Sequence, residues 1–152
     1  MRVLIMGLPG AGKTTLAKEL FANLFPNCLW VNADIIREKY NDWDFSYEGR
    51  IRQAKRLREE ADAPNHNISI VDFVCPLPEM RDIFDADFTI WVDTIAEGRF
   101  ADTNKLFVPP EKYDVRVSTY DVDHWMPLIL DQLLSAHKHL VVQELTHSNN
   151  DL

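Results

Sequence analysis

The stretch IMGLPGAGKTTLA, Ile5 to Ala17, decides the fold. Eight of its residues, Gly7 to Thr14, fit the pattern G-x-x-x-x-G-K-[ST]. Val3 to Met6 is an apolar run ending at a glycine, which reads as a short buried strand. A helix is expected from Lys13 to about Phe25, where Pro26 and Asn27 break it. Strand, loop and helix in that order are the setting in which such a loop holds phosphate. The glycines let backbone N–H groups curl around phosphate oxygens without Cβ clashes, and the helix directs its positive end at them. Gly7, Leu8, Pro9, Gly10, Ala11, Gly12, Lys13, Thr14 and Thr15 are therefore expected to bind ATP. Lys13 reaches the β- and γ-phosphates as a catalytic residue, and Thr14 supplies a hydroxyl to Mg²⁺. A glycine-rich turn matching by chance is the bland alternative.

The 152 residues suffice for one domain, 1–152, and are too few for two. A formal net charge of -8 argues against long nucleic acid, which needs a basic surface. It leaves room for a small anionic ligand, for which a few placed arginines suffice. Cys28 and Cys75 lie in no C-x-x-C pair and no zinc spacing, and read as free thiols. With no signal peptide and no transmembrane run in the sequence, a cytoplasmic location without a membrane is expected.

Further along, Cys28 to Val31, Ile68 to Val71, Phe88 to Val92 and Val115 to Val117 read as strands. Helices are expected over Ala33 to Tyr40, from an N-cap at Ser46 to about Asp62, and as a short turn of helix within Pro76 to Phe84. Gly98 to Lys112 reads as irregular. Val122, Trp125, Met126, Ile129, Leu130, Leu133 and Leu134 recur at three- and four-residue steps, giving a last helix with Pro127 near its first turn. The tail from Thr146 to Leu152 is expected to fray. Alternating strands and helices imply an α/β fold with three layers around a mainly parallel five-stranded sheet.

Two segments supply an acceptor side. In VNADIIR, Asp34 follows the second strand and so lies at the carboxyl edge of the sheet, where ligands sit in open α/β folds. It can take a proton from an attacking hydroxyl or help orient Mg²⁺. Arg37 follows one helical turn later. The alternative is a capping aspartate with a solvated arginine. In YEGRIRQAKRLREE, Arg50 shares the inward arc of Ile51, Ala54, Leu57 and Ala61, whereas Arg52, Lys55 and Arg56 point away and read as a solvated face. An inward charge must meet an anion or face a cleft.

These segments together resemble the adenylylsulfate kinase family. GLPGAGKTTLA resembles its GLSGAGKST-type loop, and VNADIIR its LDGDNVR-type segment, with Asp34 and Arg37 matching. DFSYEGR resembles GFS-x-x-DR, with Phe45, Ser46 and Arg50 matching, and VDFVCP resembles SFISP, with Phe73 and Pro76 matching. WVDT resembles VDTP, and the segments keep the family's order from Gly7 to about Thr94. Asn32, Gln53 and Cys75 stand where the family has aspartate, asparagine and serine, and Ala101 stands where its lid has arginine.

The resemblance implies a P-loop NTPase fold of the nucleoside-kinase-like kind. It implies transfer of the γ-phosphoryl group of ATP, with Mg²⁺, to the 3′-hydroxyl of adenosine 5′-phosphosulfate. Lys13 and Asp34 would be catalytic, and Asp34, Arg37, Phe45 and Arg50 would bind the acceptor. Gly98 to Lys112 would be a shortened lid, with Arg99 or Lys105 supplying the charge missing at Ala101. A homodimer is left open. The competing readings are a kinase for another hydroxyl (a nucleoside, a nucleic-acid 5′-hydroxyl, a modified base or a sugar acid) and a non-catalytic nucleotide-binding module.

Overall fold

The computed structural model describes residues 1–150. Its central strand, β1 (Arg2–Met6), is buried on both faces. Val3 and Ile5 enter one core, while Leu4 and Met6 enter the other. A strand without a polar face is what a helix-covered parallel sheet requires. The chain continues through α1 (Lys13–Leu24), β2 (Cys28–Asn32), α2 (Ala33–Tyr40), α3 (Tyr47–Ala61) and β3 (Ile68–Asp72). It closes with α4 (Pro78–Phe84), β4 (Phe88–Val92), α5 (Ala101–Leu106), β5 (Val115–Val117) and α6 (Val122–Asn150).

The five strands lie in the order β2-β3-β1-β4-β5, and every pairing is parallel. Helices α1 and α6 cover one face through Leu16, Ala17, Leu20, Ile129 and Leu133. The opposite face is packed by Ala54, Leu57, Met80 and Phe84 of α3 and α4. This is the three-layer α/β arrangement the sequence predicts. Because β1 sits between β3 and β4, the connection from β3 to β4 passes over it. The loops leaving β1, β2 and β3 then open at one carboxyl edge, where open α/β sheets hold ligands.

Three expectations need correction. Part of the 98–112 segment is regular: α5 forms inside it, and Asn104 closes it by accepting from the Gly98 N–H and donating to the Gly98 carbonyl, at 2.8 and 2.9 Å. Arg81 holds the exit of the same segment, donating to the carbonyls of Cys75, Pro76 and Val108. The tail does not fray at Thr146: α6 continues to Asn150, and residues 151–152 lie outside those described. Pro127 stands inside α6 rather than in its first turn, where it removes one i to i−4 bond.

Ser46 caps α3 as expected, its Oγ accepting from the Gly49 N–H at 3.2 Å. The cap pulls the helix start tightly onto the preceding loop. A Cβ on Gly49 would lie 2.2 Å from the Asp44 carbonyl oxygen. Gly49→Ala is therefore expected to destabilise the protein by about 1–3 kcal/mol, the usual range for overpacking. The check is a lowered thermal midpoint. An unchanged midpoint would mean that the Asp42–Phe45 loop yields freely.

Candidate active site

The glycine loop joins β1 to α1 at the carboxyl edge. Gly7 has φ 153, and a Cβ there would lie 2.4 Å from the Val92 carbonyl oxygen, so only glycine fits. Lys13 opens α1 and folds back over the loop, its Nζ donating to the Leu8 carbonyl at 2.9 Å. Burial pulls the Lys13 ammonium down to about 8, against the opposing charges of Asp72 and Asp34. A cation held partly dehydrated in this way is poised to gain from an anion.

Asp72 is a site residue that the sequence reading missed. It ends β3 and pairs in register with Ile5, two residues before the glycine loop. It is 2% exposed and heavily engaged. Its carboxylate accepts from Thr14 Oγ1 at 3.1 Å, Asn32 Nδ2 at 3.0 Å and Trp30 Nε1 at 2.7 Å. Burial pushes its acid form up, and these donors together with Lys13 counter that. The available signal was an acid directly after the apolar run Ile68 to Val71.

Among the described residues, no group of three or more His, Cys, Asp or Glu could hold a metal alone. The Thr14 hydroxyl backed by the Asp72 carboxylate is nevertheless a hard-oxygen pair. Mg²⁺ takes such ligands together with substrate phosphates and water, so these residues fit a metal that arrives with a nucleotide.

A cavity of ≈ 720 Å³ opens between the glycine loop, α2, α3 and the 98–107 segment. Pro9, Gly10, Lys13, Thr14, Asp34, Arg37, Phe45, Arg50 and Asp72 all line it. Asp34 is not the helix cap: Asn32 is, its Oδ1 accepting from the N–H groups of Asp34 and Ile35. That leaves the Asp34 carboxylate with no hydrogen bond among the described residues.

Arg37 and Arg50 are 5% and 7% exposed, and neither forms a salt bridge among the described residues. Arg37 Nη1 donates to the carbonyls of Asp42 and Asp44, and Arg50 Nε to that of Phe45. The remaining guanidinium N–H groups have no protein partner there. Both guanidiniums lie near the Phe45 ring, at 4.2 and 5.5 Å from its centroid. Burial lowers the pKa of both.

Arg52 and Arg56 do not form a merely solvated face. They clamp the loop between α2 and α3, with Arg52 Nε and Arg56 Nη1 at 2.7 and 2.6 Å from Asp42 Oδ2, and Arg52 Nη2 at 3.1 Å from Asp44. A helical wheel shows which residues leave their own core, not which loop folds back beside them. From the lid segment, Arg99, Phe100 and Asp102 line the cavity, whereas Lys105 does not. Cys75 also lines it; Cys28 and Cys75 are free, and burial pushes the Cys75 thiol up to about 12.

Behind the loop lies a second cavity of ≈ 270 Å³, lined by Gly12 and Thr15 on one side and by Val92, Thr94, Val117 and Tyr120 on the other. Thr94 Oγ1 and Tyr120 OH donate to the Ala11 and Gly10 carbonyls, at 2.7 and 3.1 Å.

A parallel sheet in this order, with a glycine loop running from its central strand into a helix that begins Lys13-Thr14, is the P-loop kinase fold. A family model described as AAA domain matches residues 3–149, and the chain belongs to that family. Among curated proteins, none matches the chain. Solved structures are similar in fold. The APS kinase of Mycobacterium tuberculosis, in complex with AMPPNP and APS, is 22% identical with a TM-score of 0.71, over 87% of this chain and 96% of that one. A gluconokinase from Sinorhizobium meliloti 1021 is 12% identical with a TM-score of 0.71, over 93% and 96%. The shikimate kinase of Aquifex aeolicus vf5 is 16% identical with a TM-score of 0.63, over 89% and 97%. No helix among the described residues is long and apolar enough to cross a membrane.

Proposed function

We propose that the chain is an ATP-dependent phosphotransferase acting on the hydroxyl of a small anionic acceptor, with adenosine 5′-phosphosulfate as the first candidate. The observation that carries this reading is the pair Arg37 and Arg50. Two buried guanidiniums without a carboxylate partner among the described residues share one cavity with Lys13 and Asp34. Burying unpaired charge is costly, and an anion in the cavity would offset that cost. The ordered motif resemblance supports adenosine 5′-phosphosulfate. The equal fold similarity to a gluconokinase and the likeness to a shikimate kinase support a second reading, a sugar-acid-like acceptor.

In this reading, the loop N–H groups and Lys13 hold the triphosphate, and its base enters the smaller cavity beside Tyr120. The Thr14 hydroxyl, backed by the Asp72 carboxylate, would hold Mg²⁺, which would supply positive charge to the phosphates. Arg37 and Arg50 hold the acceptor's anionic group, and the Phe45 ring offers it a flat apolar face. Asp34 receives the proton of the attacking hydroxyl. The new bond joins the acceptor oxygen to the γ-phosphorus, the bridge to the β-phosphate breaks, and ADP leaves with that electron pair. The 98–107 segment, with Arg99 and Phe100 facing inward, excludes water that would otherwise compete for the phosphoryl group.

The test is ADP release, measured with adenosine 5′-phosphosulfate, gluconate and shikimate in turn. Arg50→Ala is the discriminating variant. A charge-assisted hydrogen bond is worth about 1.5–3 kcal/mol, so the acceptor KM should rise by roughly 10- to 150-fold. ATP affinity should hardly move, because Gly7 to Thr14 carry it. Arg50→Lys should rescue only in part, lacking the bidentate fork. Equal losses for ATP and acceptor would make Arg50 a structural residue. ATP binding with no acceptor turned over would favour a non-catalytic module.

A further inference from the structure

The phosphate loop contains a turn that its own residues leave free to open. Leu8, Pro9, Gly10 and Ala11 form it, with the Ala11 N–H donating to the Leu8 carbonyl at 3.1 Å and Gly10 at φ 86. Proline second and glycine third, with a positive φ at the glycine, is the residue choice of a type II turn. A Cβ on Gly10 would meet nothing closer than Ile95 Cδ1 at 4.0 Å. Glycine therefore stands here for its backbone angles and not for space. The same freedom lets the peptide that follows it rotate at little cost. A Gly10 carbonyl turned inward would set its negative end against the phosphates.

Tyr120 opposes that rotation. It stands in the loop between β5 and α6, and its OH donates to the Gly10 carbonyl at 3.1 Å. Its ring carbons Cδ1 and Cε1 lie 3.5 Å from where a Cβ of Gly12 would sit, so the ring rests against a second glycine of the loop. Thr94 holds the next peptide in the same way, through the Ala11 carbonyl at 2.7 Å. The C=O and N–H of a trans peptide point in opposite directions. A carbonyl drawn outward therefore turns its N–H the other way. The Ala11 N–H closes the turn on the Leu8 carbonyl, which also receives Lys13 Nζ. The Gly12 N–H has no protein acceptor among the described residues and is free for a phosphate oxygen.

We infer that Tyr120 is a positioning residue for the phosphate loop. Its hydroxyl, acting through the Gly10 carbonyl, fixes the turn that sets Lys13 and the loop N–H groups before a triphosphate arrives. A loop already shaped loses none of its binding energy to ordering. The inference deepens the phosphotransferase reading and rests on its nucleotide site. It concerns the phosphates and not the base, although Tyr120 also lines the smaller cavity.

The experiment compares wild type with Tyr120→Phe, which keeps the ring and removes the hydroxyl. Tyr120 is 60% exposed, so the variant should fold with a thermal midpoint close to wild type. Dissociation constants are measured by calorimetry for ATP with Mg²⁺ and, by displacement of ATP, for inorganic tripolyphosphate, which carries no base. Both should rise by the same factor, roughly 3- to 10-fold, the share of one neutral hydrogen bond. Tyr120→Ala also removes the ring from Gly12 and should weaken tripolyphosphate at least as much. A loss for ATP alone overturns the inference, because Tyr120 then acts on the base. Unchanged affinities for both ligands, with or without a lowered midpoint, overturn it as well and leave the phosphotransferase standing. So does tripolyphosphate that fails to displace ATP from wild type, since the loop then contributes too little for its shape to matter. A wild type that binds neither ligand overturns both readings.

Discussion

Lys13→Ala is expected to abolish phosphoryl transfer, a loss on the order of 10³-fold or more, while the chain keeps its fold. Removing one preorganised donor from a developing oxyanion already costs about 10²–10³-fold, and Lys13 adds a full charge. The fold should survive because the side chain packs against no core residue through its charge; its single hydrogen bond is to the Leu8 carbonyl. The lysine also predicts a pH dependence. Burial sets its ammonium at about 8 in the free protein, and the triphosphate binds the charged form. ATP affinity should therefore be flat below pH 8 and fall as pH rises through it, by about tenfold per pH unit until the bound form also titrates. Titrations of ATP from pH 6.5 to 9.5, on wild type and Lys13→Ala, check both points. Wild-type turnover by the variant would remove the phosphate-loop assignment, and an equally steep pH profile in the variant would place the titration elsewhere.

Asp34→Asn is expected to lower kcat by ~10²-fold or more, the usual contribution of a positioned proton acceptor. It should leave ATP binding and the thermal midpoint close to wild type. The carboxylate makes no hydrogen bond among the described residues, and the cap of α2 is supplied by Asn32. A structural role would show the reverse pattern, with a lowered midpoint and little change in kcat. Asp72→Asn is the informative partner. Asp72 is bound by Thr14, Asn32 and Trp30, so its loss should disturb stability and, in the proposed reaction, the Mg²⁺ dependence of turnover. Full activity in Asp34→Asn would sink the proton-acceptor role and leave Asp72 as the carboxylate to examine.

The local features were legible in the sequence because local chemistry writes them. Gly7 to Thr14 announce a phosphate loop through residue types that only a tight turn of backbone N–H groups requires. The apolar runs mark strands with no polar face, which implies helices on both sides. The periodicity of α3 places Arg50 inward with Ala54 and Leu57, and the structure finds all three buried. The spacing of Asp34 and Arg37 after β2 puts both at the carboxyl edge of the sheet, and both line the larger cavity.

Other features depended on which segments meet. Asp72 reaches Thr14 across 58 positions only because β3 pairs beside β1 with Asp72 opposite Ile5. Arg52 and Arg56 meet Asp42 because the α2–α3 loop folds back along α3. Tyr120 meets Gly10 because the loop after β5 closes over the glycine loop. Residue spacing along one strand or helix is set by backbone periodicity, which a sequence displays directly. Register between parallel strands, and the docking of a loop on a helix, are set by packing among residues far apart in the chain. Only the folded protein brings them within hydrogen-bonding reach.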